Sequence, residues 1–121
     1  MGDPVTNQSA AEIRFALSKL FVDTAVDYQA IATQLRFEDQ QTLKQMFFDE
    51  VAPVCYPNLA TPAPPVWTMF DPDWLEAEIE KRLQRRNDSN FVAMKDKILC
   101  TYLRVAYASV WQALEKELIT L

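Results

Sequence analysis

The chain has 121 residues, half of them apolar and 24% charged, with 17 acidic and 12 basic side chains giving a net charge of −5. That balance describes one globular domain able to bury a core, and it excludes a disordered chain. Histidine is absent and Gly2 is the sole glycine. An imidazole base or metal ligand, a phosphate-cradling loop, a dinucleotide fingerprint and a nucleophile elbow are therefore excluded.

Residues 1–8 lack the basic and apolar blocks of a signal peptide and are expected to form a disordered tail. A helix is predicted from Ser9 to about Val22. Ser9 with Glu12 three residues on makes a capping box, and Ile13, Ala16, Leu17, Leu20 and Phe21 form one apolar stripe, with Arg14 and Lys19 facing elsewhere. After a break around Asp23 to Asp27, Asp27 caps a second predicted helix, Tyr28 to Phe37, with Tyr28, Ile31, Ala32 and Leu35 inward. Asp39 caps a third, Gln40 to Val51, with Leu43, Met46, Phe47 and Val51 inward. Pro53 is expected to end it, because the residue before a proline is pushed out of the helical region.

Residues 53–69 hold five prolines together with Val54, Tyr56, Leu59, Val66 and Trp67. Such a segment is too apolar for a free linker and reads as a loop packed across the fold. The next helix has the clearest start. Asp71 is its N-cap, Pro72 its first residue and Asp73 lies in its first turn, while Phe70 and Leu75 are placed for a hydrophobic staple. Its inward face is Leu75, Ile79 and Leu83, with Trp74 beside it. Lys81, Arg82, Arg85 and Arg86 crowd its end, read as a solvated terminus with Glu78 pairing to Arg82. Ser89 or Asp88 then caps the last stretch.

Phe91 to Ile119 contains neither Pro nor Gly. It reads as one helix of roughly thirty residues, about 40–45 Å long. Ile98, Leu99, Tyr102, Leu103, Val105, Ala106, Val110, Trp111 and Leu114 cover most of its circumference, so it is expected to be buried with other helices around it. No Asn-Gly or Asp-Gly turn exists to build a tight hairpin. The expected fold is an all-α, single-domain bundle of about five helices around this long C-terminal helix, with a Pro-rich packed loop. The apolar run Ile98–Trp111 is too short to cross a bilayer, and Arg104 interrupts it. Cys55 and Cys100 are expected to be unpaired thiols, which fits a reducing compartment.

Four constellations are candidates for function. Asp49, Glu50, Asp71 and Asp73 could converge to hold a divalent metal or small ligand, although Asp71 and Asp73 already serve the helix start. The basic cluster Lys81, Arg82, Arg85 and Arg86 could meet phosphate, but the net negative charge opposes nucleic-acid binding. Tyr56, Trp67, Phe70 and Trp74 gather on or beside the loop, and aromatic residues of this kind anchor interfaces. Neither cysteine has a histidine to activate it.

The segments Phe48-Asp49-Glu50-Val51-Ala52-Pro53-Val54 and Tyr56-Pro57-Asn58-Leu59, then Trp67, Phe70-Asp71 and Asp73-Trp74-Leu75, form a recognisable series. Ala16-Leu17-Ser18-Lys19-Leu20-Phe21-Val22-Asp23-Thr24 precedes them. This pattern resembles a family of short bacterial proteins known only as a domain of unknown function. The likeness runs over most of residues 13–86, with the final helix less typical. It implies a bacterial cytoplasmic protein and brings no activity or cofactor with it.

The expectation is a non-catalytic protein-interaction module, most concretely an immunity protein that neutralises a toxin. Tyr56, Trp67, Phe70, Trp74, Asp49 and Asp73 are its expected contacts. The carboxylates would steer a basic partner, with no nucleic acid and no membrane involved. The alternatives are a metal- or ligand-binding protein using Asp49, Glu50, Asp71 and Asp73, and a helical subunit whose final helix packs against a second copy. The chain is accordingly expected to be a monomer or a homodimer.

Overall fold

The structure is a computed structural model that describes residues 8–22, 25–57 and 70–121. Residues 1–7 of the predicted tail, the acidic end of the first break, most of the Pro-rich loop and Trp67 lie outside these residues, while Gln8, expected in the tail, donates to the Gln34 carbonyl at 2.9 Å and to Glu38 at 3.1 Å. Every regular element among the described residues is helical: α1 (Ala10–Ser18), α2 (Tyr28–Leu35), α3 (Gln40–Met46), α4 (Ala52–Cys55), α5 (Pro72–Asp88), α6 (Asn90–Ala106) and α7 (Ala108–Thr120). A 3₁₀ turn, Lys19–Phe21, extends α1, and a π-helical turn, Phe47–Val51, joins α3 to α4.

The starts of these helices follow from side chains the sequence announces. Ser9 Oγ accepts from the Glu12 N–H at 3.1 Å while Glu12 accepts from the Ser9 N–H at 3.2 Å. Asp27, Asp39, Asp71 and Ser89 each accept a backbone N–H two or three residues into the next helix. Each such cap satisfies one of the amides that a helix start leaves without a partner.

The core is built where the apolar stripes meet. Phe21, Phe47, Phe48, Leu17, Leu43, Leu75, Leu103 and Leu114 are fully buried. Phe21 stacks on Phe47 with ring centroids 5.3 Å apart, and Phe47 meets Phe48 edge-on at 4.8 Å. Trp111 lies 5.8 Å from Phe47 and 6.4 Å from Phe48. Burying one such side chain contributes roughly 1.5–3 kcal/mol, and aromatic pairing adds to it. α7 lies against α2, so the last helix closes on an early one.

Pro53 does not end the third helix. The chain passes through the π turn and continues as α4. In an α-helix the carbonyl of Asp49 would accept from residue 53, but proline has no N–H to give and its ring crowds that carbonyl. The π turn widens the helix here, and the Ala52 N–H donates to Phe47, five residues back. Arg82 Nη1 supplies the missing donor to the Asp49 carbonyl at 2.8 Å. The same turn brings Phe47 and Phe48 into the core together.

The predicted final helix is two helices. Tyr107, at φ −113° and ψ 19°, separates α6 from α7. Neither Pro nor Gly marks the break. The Tyr107 ring packs edge-on against Phe21 at 5.4 Å, and this tertiary contact outweighs the local preference for an unbroken helix. Nor is the segment buried all round. α7 buries Trp111, Leu114 and Leu118, but α6 sits at the edge of the bundle, touched by α5, α4 and the π turn. Ile98, Tyr102, Val105 and Ala106 are exposed, contrary to the expected burial.

Candidate partner-binding surface

The four carboxylates of the predicted acidic cluster are not brought together. Asp49 Oδ1 accepts from Arg104 Nη2 at 3.2 Å, and Glu50 pairs with Arg14 at 3.0 Å. Asp71 accepts from the Asp73 and Trp74 N–H groups. Among the described residues, no group of three His, Cys, Asp or Glu side chains is placed to hold a metal ion. Arg14, predicted to face away, lies between α1, the π turn and α5. Its guanidinium donates to both carboxylate oxygens of Glu76, at 2.6 and 2.8 Å, and to Glu50. Its pKa is raised chiefly by the hydrogen bond to Glu76, against the opposing effect of burial.

The basic cluster also divides. Lys81 pairs with Glu78 at 2.9 Å, so the predicted Glu78–Arg82 pair does not form. Arg82 instead reaches Asp96 on α6, and Arg86 meets the same carboxylate at 3.1 Å. Arg82 Nη2 further lies 3.3 Å from Cys100 Sγ. Arg82 thus bridges the π turn, α5 and α6. Sequence reasoning missed Asp96. Its signal was position: Asp96, Cys100, Leu103 and Tyr107 follow one another at helical spacing along the face of α6 that turns inward. Burial pushes the Cys100 thiol pKa up, with Arg82 opposing, and pushes the fully buried Cys55 up to about 12. Both cysteines are free.

The predicted contact residues have different fates. Phe70 is buried, with its ring stacked 5.9 Å from Trp74, so it supports that ring and offers little surface of its own. Tyr56 is half-buried against the core. Asp49 is committed to Arg104. Trp74 and Asp73 stay exposed at the start of α5. Trp74 edges a hollow of about 260 Å³ with Pro53, Val54, Glu78, Lys81, Arg82 and Arg85.

Among the described residues, a row of exposed apolar side chains runs along α6. Phe91, Met94, Ile98, Tyr102 and Val105 each expose more than half of their surface, from 56% at Met94 to 78% at Val105. Their spacing of three, four, four and three residues places them within an arc of about 80° along about 21 Å of helix. This is a straight apolar seam of the kind that packs against another helix. Phe37, Ile119 and Leu121 are also exposed, but scattered apolar residues are ordinary on protein surfaces. No described helix is long and apolar enough to cross a membrane.

Comparison with curated proteins and with solved structures found no match. One family profile covers almost the whole chain and reaches through α6 and most of α7, so the last helices belong to the family pattern rather than departing from it. By that match over residues 8–117, the chain belongs to the family described as Domain of unknown function (DUF7079).

Proposed function

We propose that this chain is a non-catalytic protein-interaction module whose contact face is α6. The observation that carries this reading is the seam of Phe91, Met94, Ile98, Tyr102 and Val105 standing open on one side of a well-packed core. At roughly 200 Å² per side chain, its exposed area is on the order of 600 Å², the upper end for the largest apolar patch of a monomer. The aromatic pair of Trp74 and Phe70, with Asp73 beside it, offers a second and smaller surface. The concrete form we propose is an immunity protein that holds a toxin inactive in a bacterial cytoplasm, a setting that two free thiols fit. The net charge of −5 favours fast encounter with a partner that is basic overall, whatever the local charge of the segment it docks.

Co-expression with a toxin encoded beside it tests the reading. The native chain is expected to bind the toxin and restore growth. Ile98→Glu is expected to lose both effects while remaining folded. Absence of binding and protection by the native chain, or full protection by Ile98→Glu, would count against it. The same seam also favours a second reading, in which α6 packs against a second copy. Sedimentation of the free protein as a dimer would support that one.

A further inference from the structure

Granting the interaction reading, we infer that the occupant of α6 is an acidic amphipathic helix of another protein, laid along the seam with its carboxylates over Lys95 and Lys97. The shape of the seam argues for a helix. An arc of about 80° is the width of a coiled-coil stripe and is narrower than the apolar face of a helix that lies in a bilayer surface.

The charges beside the seam argue for an acidic one. Among residues 90–106 the sole carboxylate is Asp96, which is buried on the opposite side of the helix against Arg82 and Arg86. Every exposed charge on α6 is therefore positive. Lys95 borders one side of the seam, where its ammonium sits 5.2 Å from the centre of the Phe91 ring. Lys97 and Arg104 border the other. Arg104 already has Asp49 as its partner. Lys95 and Lys97 make no ion pair among the described residues. They form a basic rim on a chain whose net charge is −5.

The same rim argues against the other occupants. Two copies of α6 packed antiparallel about Ile98 would set lysine against lysine with no carboxylate from either helix to offset them. An anionic membrane would meet the rim too, but a bilayer surface calls for a wider apolar face than this seam. A partner helix with Glu or Asp flanking its apolar stripe meets both the seam and the rim.

The test uses the full chain and two labelled synthetic helices of about 21 residues, matched in length to the seam. They share one Leu stripe and carry either Glu or Lys at the flanking positions. Binding is read by fluorescence anisotropy. The Glu-flanked helix is expected to bind about tenfold or more tightly than the Lys-flanked one, with the difference shrinking as salt is added. The Lys95→Glu/Lys97→Glu double variant is expected to reverse that preference. Ile98→Glu is expected to abolish binding of both without moving the urea midpoint.

Equal or tighter binding of the Lys-flanked helix overturns the inference. So does sedimentation of the native chain as a dimer that Ile98→Glu dissociates, or preferential capture by phosphatidylserine-containing vesicles. Failure of both peptides overturns the acidic-helix inference alone, because co-expression with the toxin judges the interaction reading separately.

Discussion

Replacing Asp96 with Ala removes one carboxylate and strands two guanidinium groups. The Asp96 side chain is 7% exposed and that of Arg82 16%, so Arg82 cannot swing into water without opening the contact between α5 and α6. Arg86, at 37%, can return to solvent at little cost. Breaking a buried pair from one side typically costs about 3–5 kcal/mol. Arg82 keeps the Asp49 carbonyl as an acceptor, which points to the low end, about 3 kcal/mol. For a domain of this size that is a fall in Tm of about 10–12 °C. Urea unfolding followed by circular dichroism measures it, with the slope m unchanged. The apolar double variant Arg82→Met/Asp96→Leu removes both charges and leaves chiefly the Asp49 carbonyl without its donor, a cost of about 1–2 kcal/mol. The double variant should thus be more stable than Asp96→Ala. A loss below about 1 kcal/mol for Asp96→Ala, the value of an exposed ion pair, would refute the reasoning.

Other predictions use the same urea assay unless stated. Leu103→Ala, on the inward side of α6, should cost about 3 kcal/mol, while Ile98→Glu on its exposed side should stay within about 0.5 kcal/mol of native. Trp111 Nε1 is buried with no hydrogen-bond partner among the described residues, so Trp111→Phe relieves an unsatisfied donor and should cost less than about 1.5 kcal/mol, well below an ordinary large-to-small change at this depth. Hydrogen bonds from Thr42 hold the Asp39 carboxyl below its ordinary value near 3.8. The stability it lends is therefore present above about pH 4 and fades as pH falls through the lowered value, so native protein and Asp39→Asn should converge in acid. Cys55, with its pKa pushed up to about 12, should resist a thiol reagent at about pH 8 until the chain unfolds, and mass spectrometry of the labelled peptide reads this.

The helix starts were legible because capping is local chemistry. Ser9, Asp27, Asp39, Asp71 and Ser89 act within three residues of where they stand. The inward stripes of the first helices were legible for the same reason, since a period of 3.6 needs no knowledge of neighbours. The end of the third helix misled because the proline rule is statistical and the remedy is distant. Arg82, 33 positions from Asp49, supplies the donor that Pro53 lacks. α6 misled in another way. Its apolar residues cover two sides, and composition cannot tell a helix wrapped by its own domain from one that turns one side outward. The places of the expected contact residues follow the same logic. Phe70 went under Trp74, Asp49 went to Arg104, and Asp73 and Trp74 stayed out, each decided by which neighbour the fold delivered.

The seating of α7 on α2 has a consequence for synthesis. As the chain leaves the ribosome, α1 to α5 are available before residues 108–120, yet α1 covers only part of the apolar side of α2 and the rest stays open until α7 arrives. Closing that contact links positions about 80 residues apart, a slow and non-local step by the standards of helical proteins. The nascent domain therefore waits with part of the apolar side of α2 unprotected, and a ribosome stalled before residue 108 holds a chain prone to stick to its neighbours or to recruit a chaperone.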